Sequence, residues 1–210
     1  MKEVRAIDID EVLFETIDQI LEYHGYRINN QKITKNDITD YHIYKVKKFN
    51  INKENGVQWF HGFLQSEEVH KIQPVQWAKE VLEKIQAQGN ILIAITWRLE
   101  KYSSRTAEAL QKHYPGVLSD VIYLNAYGDM NTRKITQETK SHICKKFWAT
   151  IMVEDDLHYA QELADNGIKV YLLDKPRNQE YKNGMHPNII KIDERKELLD
   201  YEKINYYCRV

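Results

Sequence analysis

The chain has 210 residues, with 30 Lys and Arg set against 31 Asp and Glu and a net charge of -1. That balance removes the electrostatic basis for binding a nucleic-acid polymer or an anionic membrane, and no apolar run approaches the ~20 residues that span a bilayer. Hydrophobic residues make up 42% of the chain, enough for one sizeable core with room for a small inserted domain. The only cysteines, Cys144 and Cys208, lack metal-type spacing, and the opening MKEVRAIDID has no signal-peptide apolar segment. Free thiols in a reducing compartment predict a cytoplasmic location.

Val4 to Ile9 reads as a short buried strand ending in acids. From about Glu15 to Gln73 no strong strand pattern follows. Polar and aromatic helical stretches fill the segment, with Tyr23, Tyr26, Tyr41, Tyr44, Trp59, Phe60 and Phe63 among them. This predicts a small helical insertion over 15–73, with the main domain formed by 1–14 and 74–210. Beyond Pro74, Val75, Ala78, Val81, Leu82 and Ile85 recur at helical spacing, and Gly89 suits the position after the helix end. Ile91 to Ile95 is a second strand, followed by a helix from Tyr102 to His113 that Pro115-Gly116 stops. Val121 to Leu124 is a weaker strand. A short helix from Lys140 to Phe147, a strand from Thr150 to Val153, a helix from Leu157 to Asn166 and a strand from Ile168 to Leu173 complete the pattern. The last ~20 residues read as amphipathic or irregular. Strands alternating with helices predict an α/β fold: a three-layer, Rossmann-like parallel sheet with helices on both faces, plus the helical cap inserted after the first strand.

In a parallel sheet of this kind ligands gather at the carboxyl ends of the strands. The first strand delivers Asp8 and Asp10 there, and residues i and i+2 share a side if the strand runs that far. ILIAIT ends on Thr96, and TIMVEDD ends on Glu154, Asp155 and Asp156, preceded by the lysine-led helix TKSHICKKF. Carboxylates suit Mg²⁺, a hard cation that keeps waters for substrate phosphate. A hydroxyl and an ammonium suit phosphate oxygens. The natural reaction is phosphoryl transfer, in which positioning and charge neutralisation do most of the work. Each residue also has an ordinary role: acids cap helices, threonines end strands and lysines sit in solvent. Order and position along the chain argue for the site.

That order resembles the haloacid dehalogenase superfamily of phosphatases. Its D-x-D motif is matched by Asp8-Ile9-Asp10, its strand-closing Ser or Thr by Thr96 in AITWR, and its acidic motif by VEDD. The stretch TKSHICKKFWATIMVEDDLHYAQELADNGIKVYLLDKPRN is similar to the nucleotidase-like subgroup, of the cytosolic deoxyribonucleotidase type. The resemblance covers most of residues 4–178 and makes Lys140, rather than Lys134, the motif lysine. It implies that Asp8 attacks phosphorus to form an aspartyl-phosphate. It also implies that Asp10 protonates the leaving alcohol and then activates water, that Thr96 bonds a phosphoryl oxygen, and that Lys140 screens the charge. Mg²⁺ would be held by the Asp8 carboxylate, the Asp10 carbonyl and Asp155, with Glu154 and Asp156 as further ligands or helpers. The substrate implied is a nucleotide or another small phosphorylated metabolite.

The chain departs from that pattern at Glu11, Val12, Trp97 and Glu154. Trp97 and Arg98, together with Trp59 and His61 of the insertion, are candidates for substrate contact. Trp59, Phe60 and Phe63 suit equally a small core of the insertion itself, and packing is the preferred reading for them and for Trp97. A signalling receiver domain uses similar residues but needs its acceptor aspartate on a middle strand ahead of Thr and Lys. A catalytically silent phosphoryl-ligand-binding or signalling protein on the same fold is the other alternative. Nothing in the sequence indicates an oligomeric state.

Overall fold

The computed structural model describes residues 2–28, 30–124 and 138–192. Its main sheet has six strands: β1 (Val4–Ile7), β4 (Ile91–Thr96), β5 (Asp120–Tyr123), β6 (Ala149–Glu154), β7 (Lys169–Leu173) and β8 (Ile189–Ile192). All pair in parallel, in the order β5-β4-β1-β6-β7-β8. The chain moves outward from β1 in one direction and then returns to build the other half from β6. The direction therefore reverses between β1 and β6, where an open α/β sheet leaves a crevice at its carboxyl edge.

Helices α3 (Ala78–Ala87), α4 (Ser103–His113), α5 (Lys140–Lys146) and α6 (Leu157–Asp165) form the flanking layers. In α3, Ala78, Val81, Leu82 and Ile85 are buried at helical spacing. Gly89 follows the helix at φ +91°, a conformation open to glycine without steric cost. Strand alternation divides the core in two. Leu92 and Ala94 of β4 join one apolar cluster with α3 and α4, whereas Ile93 and Ile95 join another with α5 and α6.

Two sequence expectations need correction. The first strand ends at Ile7, not Ile9; Asp10 lies beyond it, in a turn closed by Leu13 N and Phe14 N donating to the Ile9 carbonyl. Strand β8 is not among the predicted strands; it begins just ahead of the last ~20 residues, which read as amphipathic or irregular. It is an edge strand of four residues paired only with β7, and its interrupted apolar run gives little sequence signal. Lys134, in the segment 125–137, and Cys208, with the rest of 193–210, lie outside the described residues. Cys144 is a buried free thiol.

Between β1 and α3 the chain builds the insertion: α1 (Thr16–Tyr23), a minimal ribbon of β2 (Arg27–Ile28) and β3 (Gln31–Lys32), several 3₁₀ turns, and α2 (Lys53–Gln65). The segments leading in and out run side by side, with Glu15 N donating to the Gln73 carbonyl and Val75 N to the Leu13 carbonyl. Leu21, Ile28, Ile33, Ile38, Ile43, Val46 and Phe49 form a core local to the insertion. Phe63, expected in that local core, packs instead into the main core with Leu64, and Phe60 lies against it. Gly56 of α2 permits a close approach: a Cβ there would stand 3.0 Å from Tyr44 Cβ, so the helix and the Ile43–Lys45 turn would have to part by a few tenths of an ångström.

Candidate active site

The backbone places Asp8 first. Its N–H donates to the Val153 carbonyl at 3.0 Å, so Asp8 continues the β1–β6 ladder and lies level with the end of β6, at the reversal point. Lys140, the first residue of α5, is delivered by the Thr139 cap, whose hydroxyl accepts from His142 N at 3.2 Å. The Lys140 ammonium donates to Asp8 Oδ1 at 2.7 Å and to Glu154 Oε2 at 2.6 Å, with all three side chains buried. Two carboxylates thus share one cation, leaving an excess negative charge in a low-dielectric place. Burial pushes the Asp8 carboxyl up to about 7 against the pull of Lys140, and Glu154 and Asp10 add to the rise. Burial works against the Lys140 charge, but the two acids outweigh it and hold the ammonium above its usual range.

Asp155 supplies the third carboxylate. Oxygens of Asp8, Glu154 and Asp155 lie within 4.8 Å of one another. Asp155 pairs with Arg177, and its carbonyl accepts from Asn178 Nδ2 at 2.9 Å. The neighbouring Asp156 turns away from this cluster to cap α6, accepting from His158 N and Tyr159 N. Burial and Glu154 push its carboxyl up to about 6 despite those N–H bonds. An all-oxygen, buried, net-negative trio fits a hard divalent cation such as Mg²⁺. Asp156 is committed elsewhere, and Glu154 is tied to Lys140.

Asp10 feels the Lys140 charge but has Arg98 as its main counter-ion. Arg98, fully buried, grips it with Nη2 at 2.7 Å and Nε at 3.2 Å, and the Thr16 hydroxyl donates at 2.6 Å. Burial raises the Asp10 carboxyl, but Arg98 and Thr16 outweigh it, and the net shift is downward. Arg98 Nη1 also reaches Thr106 Oγ1 at 3.2 Å, which fixes the guanidinium. Arg98 is therefore a partner of Asp10 before it is a contact for substrate. Thr96 is buried, and its hydroxyl oxygen accepts from Arg98 N at 3.2 Å, leaving its own proton to donate.

Above these charges lies a partly open cavity of about 100 Å³. Asp8, Asp10, Lys140, Asp155, Arg98 and Arg177 line its floor. Ile17, Tyr41, Tyr44, Trp59, Phe60 and His61 of the insertion form its walls with Trp97. Trp97 packs on Tyr159 at 5.2 Å, and Tyr159 meets Tyr41 edge-on at 5.3 Å, so this pair joins the main domain to the insertion. Trp59 stacks on His24 at 4.8 Å. His61 Nδ1 lies 3.3 Å from the Tyr102 hydroxyl, and burial with Lys101 nearby pushes its ring down to about 4, a neutral imidazole.

No family model matches the chain, and no curated protein matches it. Solved structures do. The chain has the haloacid dehalogenase fold. A protein from Clostridium acetobutylicum described as a predicted phosphatase aligns at TM-score 0.64 and 12% identity, over 95% of this chain and 99% of its own. A haloacid dehalogenase-type hydrolase from Bacillus subtilis, described as bound to magnesium, aligns at TM-score 0.52 and 13% identity, over 95% and 98%. Protein Tyrosine Kinase A of Mycobacterium tuberculosis aligns at TM-score 0.68 and 12% identity, over 95% and 97%. Two different activities are named among these three, so at such identities the shared fold does not select a reaction, and the site has to.

Sequence reading assigned Lys140 to screen charge at the site but not the pairings made by the arginines. The pairing of Arg98 with Asp10 spans 88 residues and has no local signal. Glu11 was noted only as a departure from the motif. It sits at φ +62°, buried, accepting from Ile17 N at 2.8 Å and paired with Lys35 of the insertion at 3.1 Å and Lys175 at 3.5 Å. Arg177 and Asn178 were visible only as part of the DKPRN turn. No helix of the described residues is long and apolar enough to cross a membrane.

Proposed function

We propose that the protein is a Mg²⁺-dependent phosphomonoesterase acting through an aspartyl-phosphate on Asp8. The observation that carries this reading is the position of the Asp8 carboxylate. It lies at the reversal point of the sheet, in contact with Lys140 and clustered with Glu154 and Asp155. Mg²⁺ held by Asp8 and Asp155, with the Asp10 carbonyl, would neutralise phosphate charge when bound.

The chain's own residues account for the other tasks. Asp8 attacks phosphorus, and the leaving oxygen departs with a proton from Asp10, which must first gain that proton against the pull of Arg98. Asp10 then takes a proton from the water that hydrolyses the phospho-enzyme, a step suited to a carboxylate that Arg98 holds ionised. Lys140 stays charged between its two acids and offsets charge on the phosphoryl group. Thr96 has a hydroxyl proton to donate towards phosphate. The aromatic walls suit a planar leaving group, with a nucleotide as the best-fitting substrate. The cavity of about 100 Å³ is below the ~300–1,000 Å³ of usual ligand pockets, so it suits the phosphate end of a substrate, with the remainder reaching the open side or accommodated by a shift of the insertion.

The deciding experiment is phosphate release from an aryl phosphate and a panel of nucleotides and sugar phosphates, with Mg²⁺ and with chelator. Turnover that ignores chelator, or that survives Asp8→Asn, would refute the reading.

A further inference from the structure

Arg177 stands where a cation belongs. Its Nη2 pairs with Asp155 Oδ2, one of the three clustered carboxylates, and its side chain is 5% exposed while lining the cavity. The turn carrying it is fixed by backbone contacts. Pro176 opens the 3₁₀ turn Pro176–Asn178, and the Asn178 side chain holds the Leu173 carbonyl at 2.8 Å, the Asp155 carbonyl at 2.9 Å and Lys175 N at 3.2 Å. With the turn fixed, release of the guanidinium from Asp155 would fall to the side chain rather than the backbone. One of its donors, Nε, is buried without a hydrogen-bond partner. An orphaned buried donor is costly, and the residue that carries it lines the cavity.

We infer that Arg177 is an intramolecular stand-in for the divalent cation: it neutralises Asp155 until the metal displaces it, and the freed guanidinium then binds the anionic group of the ligand. The inference rests on the metal site proposed above. Without the metal, the pair keeps a buried carboxylate from standing uncompensated. When the metal takes Asp155, the guanidinium must find another acceptor. A phosphate oxygen in the same cavity can receive it bidentately through Nη2 and the unused Nε. Cation and anion binding are thereby coupled through one side chain, in both directions.

The test is binding rather than turnover. The full-length protein is stripped with chelator and titrated calorimetrically with Mg²⁺, and then with inorganic phosphate at saturating Mg²⁺. Arg177→Gln is expected to tighten Mg²⁺ binding about three- to tenfold, because the competitor is gone, and to weaken phosphate binding about tenfold. Lys175→Gln removes a neighbouring charge paired with Glu11 rather than Asp155, and is expected to change Mg²⁺ affinity less than about twofold. Arg177→Lys serves if the glutamine variant does not fold, and should fall between it and the parent. If Arg177 only orients Asp155, its loss weakens Mg²⁺ binding, and that result overturns the inference, as do unchanged affinity or equal tightening in Lys175→Gln. Failure of the parent protein to bind Mg²⁺ at all would overturn the metal reading and this inference with it.

Discussion

The floor and the walls of the cavity are built by different physics. The floor comes from strand ends and helix starts of the main domain. Each of its acids has an assigned cation: Lys140 for Asp8 and Glu154, Arg98 for Asp10, and Arg177 for Asp155. The walls come mostly from the insertion, where aromatic rings pack on one another and make few charged contacts. A paired charge in a buried place is held by strong, directional forces and tolerates little substitution. A stacked ring is held by area and can shift by an ångström at small cost. Reaction chemistry is accordingly expected to depend on the floor, and choice of leaving group on the walls.

The largest expected effect tests that division directly. Asp8→Asn should lower phosphate release by about three orders of magnitude or more. It should leave the fold intact, because burial already disfavours the charged form of Asp8. Circular dichroism and thermal melting at pH 8 check the fold, and a melting point well below that of the parent would contradict this account. Next in size is Arg98→Met, which strands Asp10 with only Thr16. Removing one partner of a largely buried pair costs about 2–4 kcal/mol, less any solvent screening at the partly exposed carboxylate. Denaturant unfolding would measure it, and a neutral result would mean Asp10 has another cation.

A third prediction concerns pH. Asp8 and Asp156 carry raised values of about 7 and about 6, so between roughly pH 4 and 7 the folded chain holds protons that the unfolded chain has lost. The contribution of these two acids to metal-free stability should fall as pH rises through that window. The histidines held low, His61 above all, contribute in the opposite sense, so the Asp8 part is read as the difference in pH dependence between the parent and Asp8→Asn. The carboxyls held below their usual range, Asp10 and Glu11, titrate mainly below it. Mg²⁺ should raise the melting temperature more at pH 8 than at pH 5, because at pH 5 it must displace a proton from Asp8. Equal shifts at both values would remove Asp8 from the metal site. The smallest effect belongs to the walls. Trp59→Ala should change preference among nucleotides and sugar phosphates by about 5- to 50-fold in kcat/KM, with less than about threefold change on a small aryl ester. An unchanged preference would return Trp59 to packing alone.

Much of the main domain was readable from local pattern. The apolar runs of β1, β4, β6 and β7 and the helical spacing of Val81, Leu82 and Ile85 are properties of short stretches of chain, and burial on both faces of a parallel sheet requires them. The acids and the lysine were readable too, because strand ends and helix starts are defined by the same periodicity. Strand β8 was not, since an edge strand with one neighbour needs little apolar signal. Neither was the escape of Phe63 into the main core, which depends on how α2 lies over the sheet.

By itself the sequence determined the order of the main strands and helices and brought Asp8, Thr96, Lys140 and Asp155 to strand ends and a helix start, because hydrophobic period and capping act over a few residues. Only the tertiary structure decided which charges meet. Arg98 and Asp10, Lys140 and Asp8, and Arg177 and Asp155 are 88, 132 and 22 residues apart. Electrostatic pairing acts through space and leaves no periodic trace along the chain.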